Sequence, residues 1–413
     1  MKIAFMTLGC KLNYAETSTY ERGFKSAGFE VVSPKENADL YLINTCSVTA
    51  TSDAKSRSLV HRVHRLSPDA RIIVTGCSAQ LRHEVFEQTE GVWKVFGCKD
   101  KSRVVEECLQ DLGINSDCVR KSGIPDGVFG AYSSGERTRS FLKVQDGCDN
   151  FCAYCTVPYA RGASRSIPIE ECVCMAKEIA AQGVKEIVLT GVNTGDFGRS
   201  TGESFLDLLK VLNEVEGIER YRISSIEPNL LSEEIIDWIA SGTKIQPHFH
   251  IPLQAGCNEL LSSMGRHYST EFFEQKINYI REKMGDGVFF GIDVMAGLPG
   301  ESDELFDRTL EFLRRIRPAF IHCFPYSRRP GTKADAMPGQ VDEKVKKERV
   351  ATLEALCNTL HEEFVASQKG TRQSVLFESR EKVGMMSGYT GNYIRVSREW
   401  DAALCGQIVE VEL

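Results

Sequence analysis

Nothing in the 413-residue chain approaches the roughly 20 consecutive apolar residues of a membrane-spanning helix, so no membrane segment is expected. A net positive charge is missing as well. Lys and Arg number 50 against 57 Asp and Glu, a formal charge of −7, so only local basic patches remain to hold RNA or DNA. An export signal is also lacking. MKIAFMTLGC has a lysine and a Gly-Cys, but its apolar core from Ile3 to Met6 is far too short for one. The segment reads better as a first buried strand, and a cytoplasmic location is expected. An apolar content of 42% and a charged content of 26% are those of an ordinary globular protein, with length for two or three domains.

Fifteen cysteines in a chain expected to stay reduced point to metal or catalysis before disulfides. GCDNFCAYC, residues 147–155, places Cys148, Cys152 and Cys155 in one tight loop. Here the fourth ligand is what is lacking. No suitably spaced Cys or His follows, as the closed tetrahedron of a structural zinc site would need. Three thiolates instead suit three irons of a 4Fe-4S cluster, with the fourth iron left without a protein ligand. Phe151 and Tyr154 are expected to shield it from water.

Cys10, Cys46 and Cys77 stand 36 and 31 residues apart, a spacing no local metal motif produces. Yet IAFMTLGC, LYLINTC and RIIVTGC each end a buried strand in a cysteine, and in a parallel sheet those loops share one edge. Convergence on one ligand and chance alignment stand equal on this pattern alone. Cys172, Cys174, Cys257, Cys323, Cys357 and Cys405 lie in apolar or helical contexts and are expected to be small core residues. Cys98, Cys108 and Cys118 receive no role.

The order of elements predicts an α/β protein. Residues 1–118 alternate strands (KIAFMTLG, DLYLINT, RIIVTG, VWKVFG) with helices near 14–27, 52–66 and 79–88, as a parallel α/β sheet does. Residues 119–138, rich in Gly, Ser and Pro, read as a linker. Residues 139–366 hold six more strands, from FLKVQ to FIHCFPYS. The helices between them fall near 169–182, 205–216, 232–240, 270–284, 304–317 and 343–368, a pattern of six βα units forming a partial or complete barrel. Residues 367–413 are short alternating segments, expected to form a small all-β, five-stranded barrel.

Cys-x3-Cys-x2-Cys at the head of such a chain resembles the radical S-adenosylmethionine superfamily. The resemblance implies that S-adenosylmethionine fills the open iron position, and that an electron from the cluster cleaves it to a 5′-deoxyadenosyl radical. GCKLN, INTCSVT and VTGCSAQ are similar to the signature of the methylthiotransferases within that superfamily, as are VPYARG, LTGVNTG, ISSIEP, HIPLQAG, GIDVMAGLPGES and FPYSRRPGT. This implies a radical-SAM partial (βα)6 barrel and a C-terminal TRAM barrel that includes GYTGNYIRV. It also implies two 4Fe-4S clusters, the second on Cys10, Cys46 and Cys77, which provides or binds the sulfur to be inserted. Gly191, Asn193, Ser225, Glu227, Gln254 and Asp293 follow or end predicted strands and are the implied S-adenosylmethionine contacts. His248 and His250 read as packing or hydrogen-bonded residues.

GCKLN, SVT after Cys46 and SSIEP look most like the branch that adds a methylthio group to carbon 2 of threonylcarbamoyladenosine beside the tRNA anticodon. The alternatives are an isopentenyl-type adenosine or an aspartate of a small-subunit ribosomal protein. Expected partners are the tRNA anticodon stem-loop, an external electron donor and a sulfur source, with no membrane and a monomeric chain. Arg57, Arg62 and Arg65, beside Lys55, His61 and His64, form one basic cluster; Arg328, Arg329 and Lys333 form another; both suit phosphates. Arg161, Arg165 and Arg328 are candidates for the threonyl carboxylate. After Ser367, six Lys/Arg balance six Asp/Glu, so Tyr389, Tyr393 and Trp400 are equally stacking surfaces for bases or core of the small barrel. In the implied mechanism one S-adenosylmethionine methylates the bound sulfur and a second yields the radical that removes the hydrogen from carbon 2. No general base is identifiable.

Overall fold

A computed structural model describes residues 1–115, 128–135 and 138–413. Cys118 and most of the expected linker lie outside these residues. The N-terminal strands are β1 (Lys2–Thr7), β2 (Glu30–Val31), β3 (Leu40–Thr45), β4 (Arg71–Gly76) and β5 (Val92–Phe96). They form a parallel sheet in the order β2-β1-β3-β4-β5. LYLINT of β3 is buried along its whole length. Leu40 and Leu42 enter the core on one face, and Tyr41 and Ile43 the core on the other, the period of two that a doubly covered strand requires.

Helices α1 (Lys11–Ser26), α2 (Ala50–Leu66) and α3 (Cys77–Leu81) each follow one of the three central strands. The helix expected over 79–88 breaks at Arg82, which leaves helical dihedrals while its Nε is held by Asp53 at 2.6 Å.

The central region continues with β6 (Ala131–Tyr132), β7 (Arg139–Lys143), β8 (Gln145–Asp146), β9 (Arg165–Ser166), β10 (Glu186–Thr190), β11 (Arg220–Ile223), β12 (His248–Gln254), β13 (Phe289–Ala296) and β14 (Phe320–Pro325). Strands β7, β10 and β11 are parallel, as are β12, β13 and β14. Isolated parallel bridges, Tyr221–Ile245 and Ser225–His250, connect the two sets. Strand β6, inside the expected linker, pairs antiparallel with the free edge of β7. Helices between the strands bury one large apolar core.

The last strands are β15 (Arg372–Phe377), β16 (Met385–Thr390), β17 (Arg395–Glu399) and β18 (Ile408–Glu412), an antiparallel sheet in the order β17-β16-β15-β18. Among the described residues this module has four strands rather than five, because Ala402–Leu404 coils into a 3-10 turn. Its aromatics are structural. Trp400 packs on the module's own core. Tyr393 stacks on Tyr389 and lies 4.6 Å from the His248 ring, with the guanidiniums of Arg139 and Arg222 over its face. Arg222 also donates to the carbonyls of Thr390 and Gly391, so the module is bolted to the central sheet. No helix among the described residues is long and apolar enough to cross a membrane.

Candidate functional site

The first three cysteines meet because their strands are neighbours in register. Thr45 pairs with Gly76, which sets Cys46 beside Cys77 as both strands end. Leu8 donates its N–H to the Asn44 carbonyl, bringing the β1 exit alongside. Gly9 then passes so close to Cys46 that an added Cβ would lie 2.9 Å from that residue's Cβ and Sγ, at a backbone φ of +105°. Only glycine meets both demands. Gly9→Ala is therefore expected to push the β1 and β3 exits apart and to lower the iron bound by reconstituted protein toward half, as read by iron assay.

The electrostatics divide two of these thiols. Burial pushes the Cys46 thiol up to about 11, whereas Cys77 is held down to about 5 by a hydrogen bond from Cys98 and, against burial, by Arg161 and Lys101. Those two cations belong to a buried network. Glu16 accepts from Lys101 at 2.5 Å, Lys143 at 2.9 Å and Arg161 at 3.3 Å, and Asp146 from Lys143 at 2.6 Å and Arg161 at 2.7 Å. Arg161 also donates to Asn13 at 2.7 Å. Three cations against two carboxylates leave one positive charge in surplus beside the cysteines. The network also joins α1 to β7 and to the helix Val157–Arg161, so it sets where one cysteine set stands relative to the other.

In the second set, Gly147 (φ +74°) lets the loop pass against the Ala163 carbonyl, where a Cβ would collide. Each sulfur there has one N–H directed at it: Asn150 N to Cys148 at 3.5 Å, Arg266 Nη1 to Cys152 at 3.2 Å, and Val157 N to Cys155 at 3.4 Å. Burial pushes the Cys148 thiol up to about 11 and Cys155 to about 12, so loading a metal here releases protons. Among the described residues, the set of Cys, His, Asp and Glu ligand atoms lying within 4.8 Å of one another is His250, Asp293 and His322, and neither cysteine set is that tight. Thiolates on separate irons of one cluster stand wider apart than ligands of a single ion. The shared edge and surplus positive charge at the first set, and the directed N–H groups at the second, suit thiolate ligands.

The implied cofactor contacts divide. Gly191, Asn193, Ser225, Glu227 and Gln254 lie at or just beyond the ends of β10, β11 and β12. Gln145 ties the β10 exit to the cysteine loop: its amide donates to the Gly147 carbonyl and its Oε1 accepts from Val192 N and Asn193 N. Gln254 holds a left-handed backbone, φ +75°, at a register shift in β12. Asp293 departs from expectation. Strand β13 runs three residues beyond it, and its carboxylate bonds His250 Nε2 at 2.7 Å.

Arg161 needs a second correction. It is buried in the network, with no face left for RNA or a carboxylate. Arg165 donates to the Arg161 carbonyl at 2.7 Å. Arg328 is exposed and paired with Asp335, and Lys333 is exposed. Arg57 is bound to Asp53, while Arg62 and Arg65 are exposed on α2. Phe151 is 51% exposed and packs edge-on against Tyr159, so it does not seal the loop from water as expected.

Sequence reading missed Arg266 and Cys98. Arg266 touches Cys152, bonds Glu227 at 2.5 Å and reaches Tyr268 at 2.7 Å, joining a cysteine to an implied cofactor contact. A charged donor at a ligand sulfur raises a cluster's potential. Arg266→Gln is thus expected to move the reduction midpoint of this cluster to more negative values, as read by potentiometric titration with paramagnetic resonance. Cys98 had a visible signal, since VFGC ends β5 as the other strands end.

Comparison with known proteins completes the picture. Residues 2–100 match a family model described as Uncharacterized protein family UPF0004, and residues 142–313 match the Radical SAM superfamily. The chain is 38% identical to the threonylcarbamoyladenosine tRNA methylthiotransferase MtaB of Bacillus subtilis (strain 168), covering 100% of this chain and 93% of that protein. It is 38% identical to the protein of that name from Aquifex aeolicus (strain VF5), covering 97% of each. It is 30% identical to the tRNA-2-methylthio-N(6)-dimethylallyladenosine synthase of Finegoldia magna, covering 99% of this chain and 91% of that one. In fold it is similar to the radical S-adenosylmethionine methyltransferase TsrM from Kitasatospora setae, with a TM-score of 0.58 at 16% identity over 81% of this chain and 77% of that one.

Proposed function

The chain belongs to the methylthiotransferase family of radical S-adenosylmethionine enzymes, in the MtaB branch, and on that premise we propose that it adds a methylthio group to carbon 2 of threonylcarbamoyladenosine beside the tRNA anticodon. The observation that carries this reading is the pair of three-cysteine sets, each at a strand-end edge and tied together by one buried ionic network. Cys148, Cys152 and Cys155 would hold the cluster that binds S-adenosylmethionine, and Cys10, Cys46 and Cys77 a second one. When bound, these groups supply one-electron cleavage and sulfur delivery, which suit an unactivated carbon–hydrogen bond.

The chain's own residues then bind and orient. Gly191, Asn193, Ser225, Glu227 and Gln254 line the cofactor position, with Arg266 neutralising Glu227 and bonding Cys152. Asp293, paired with His250, lies deeper along its strand than a contact at the strand ends. The hydrogen bond from Cys98, with the charges of Arg161 and Lys101, favours the thiolate form of Cys77. Arg62, Arg65, Arg328, Arg329 and Lys333 offer cations to the tRNA anticodon stem-loop. We take residues 1–118 as the methylthiotransferase domain, 119–138 as linker, 139–366 as a partial (βα)6 barrel and 367–413 as a TRAM-type module. The protein would work as a cytoplasmic monomer with an external electron donor and a sulfur source.

The test is nucleoside analysis of tRNA from a strain lacking this chain and from the complemented strain. Loss and return of 2-methylthio-threonylcarbamoyladenosine is expected. An unchanged profile of that nucleoside contradicts the reading, and a change confined to an isopentenyl-type adenosine or to a ribosomal aspartate moves the assignment to that substrate.

A further inference from the structure

A cavity of about 290 Å³ lies between the two cysteine-bearing regions, lined by Leu81 and Arg82, by Thr156 and Tyr159, and by the turn from Arg329 to Thr332. Leu81 closes the short helix that Cys77 opens, and Thr156 directly follows Cys155. The cavity therefore abuts both sets.

Arg329 is the unusual group in it. The residue is 5% exposed, its Nε is fully buried, and its guanidinium has no hydrogen-bond or ion-pair partner among the described residues. A buried charge without a partner is costly, so the sequence would not keep one here without a ligand to meet it. The side chains acting on it are Asp53, Arg82, Cys46 and Arg57. Asp53 is already engaged: it accepts from Arg57 at 2.8 Å, from Arg82 at 2.6 Å and from the Ser78 hydroxyl. Three guanidiniums against the Asp53 carboxylate and a Cys46 thiolate still leave a positive charge in excess, so the missing ligand is an anion.

The site is rigid. The Arg329 carbonyl accepts from Thr332 Oγ1 at 2.7 Å and from Thr332 N at 3.1 Å, and Ala50 N donates to Ser327 Oγ at 3.2 Å, clasping this loop to the start of α2. Tyr159 at the cavity is 53% exposed and meets the ring of Phe151 edge-on at 5.8 Å. Exposed aromatics beside a cationic pocket suit an unpaired stretch of RNA, whose bases stack while its backbone is held by charge.

We propose that this cavity is an oxyanion site that seats a backbone phosphodiester of the tRNA anticodon loop, with Arg329 as its principal donor and Arg82 as the second cation. The inference rests on the tRNA reading above. The tRNA also carries a threonyl carboxylate, an oxyanion of similar demand, and the experiment separates the two.

Binding of tRNA to the cluster-loaded enzyme is measured against salt for the unsubstituted chain, Arg329→Gln and Arg329→Lys. Each uses tRNA with and without the threonylcarbamoyl group, and iron content and absorption are recorded throughout. Arg329→Gln is expected to weaken both tRNAs alike, by about tenfold, and to reduce the slope of log K against log salt by about one. Arg329→Lys is expected to restore part of the affinity, and all three proteins to carry the same iron. A defect confined to the threonylcarbamoylated tRNA overturns the phosphodiester in favour of the carboxylate. Unchanged affinity and slope, or altered cluster absorption with unchanged binding, overturns the site. If the unsubstituted enzyme binds neither tRNA, the tRNA reading itself fails.

Discussion

Cys46→Ala is expected to abolish methylthiolation while leaving S-adenosylmethionine cleavage intact, whereas Cys152→Ala is expected to abolish both. The distinction follows from placement. Cys46 stands between Cys10 and Cys77 at the edge of the N-terminal sheet, and Cys152 sits in the loop after β8, where Arg266 addresses its sulfur. Loss of a ligand to a group the chemistry cannot spare is expected to cost on the order of a thousandfold or more in product. Reconstituted protein should carry about eight irons, four from each cluster, and each triple-cysteine variant about four. The readouts are iron assay, 5′-deoxyadenosine release and modified nucleoside. Release of 5′-deoxyadenosine by Cys152→Ala, or methylthiolation by Cys46→Ala, contradicts the division of labour.

Glu16→Gln is expected to cost about 3–5 kcal/mol of stability at neutral pH, the scale on which breaking a buried ion pair is felt. Glu16 is fully buried and faces three cations. Burial alone would raise its pKa, but Lys101, Lys143 and Arg161 override it and lower the carboxyl from 4.5 to about 2. That depression corresponds to about 3 kcal/mol, in agreement with the first figure. A depressed carboxyl stabilises fully above its unfolded pKa and loses that contribution as pH falls through the folded one. The gap between the parent and Glu16→Gln should therefore be full above about pH 4.5 and vanish by about pH 2, as read by denaturant unfolding of the cluster-free proteins. A gap that does not change with pH contradicts the assignment. Because the network spans the two regions, the variant should also slow methylthiolation more than cleavage of S-adenosylmethionine.

Much of this site is legible in the sequence, for one physical reason. A strand buried on both faces is a short apolar run, and a cysteine directly after it must appear at the sheet edge. IAFMTLGC, LYLINTC and RIIVTGC are such runs, and their strands are neighbours. The same rule read one strand further finds Cys98. The ionic network was harder to see, since its partners stand 85 and 127 residues from Glu16. Even so, Glu16 lies one turn from both Leu12 and Tyr20 on the buried face of α1, where a carboxylate signals a partner across an interface. Arg161 was misassigned because a motif gives residue order and says nothing of burial. Arg266 stands 114 residues from the cysteine it touches, a pairing that only the folded chain reveals.

The most direct measurement uses tRNA whose threonylcarbamoyladenosine carries deuterium at carbon 2, incubated with the cluster-loaded enzyme, reductant, a sulfide source and S-adenosylmethionine. The expected result is a methylthio nucleoside without that deuterium, together with 5′-deoxyadenosine that has gained it. Unlabelled 5′-deoxyadenosine with no new nucleoside would contradict the proposed reaction at carbon 2.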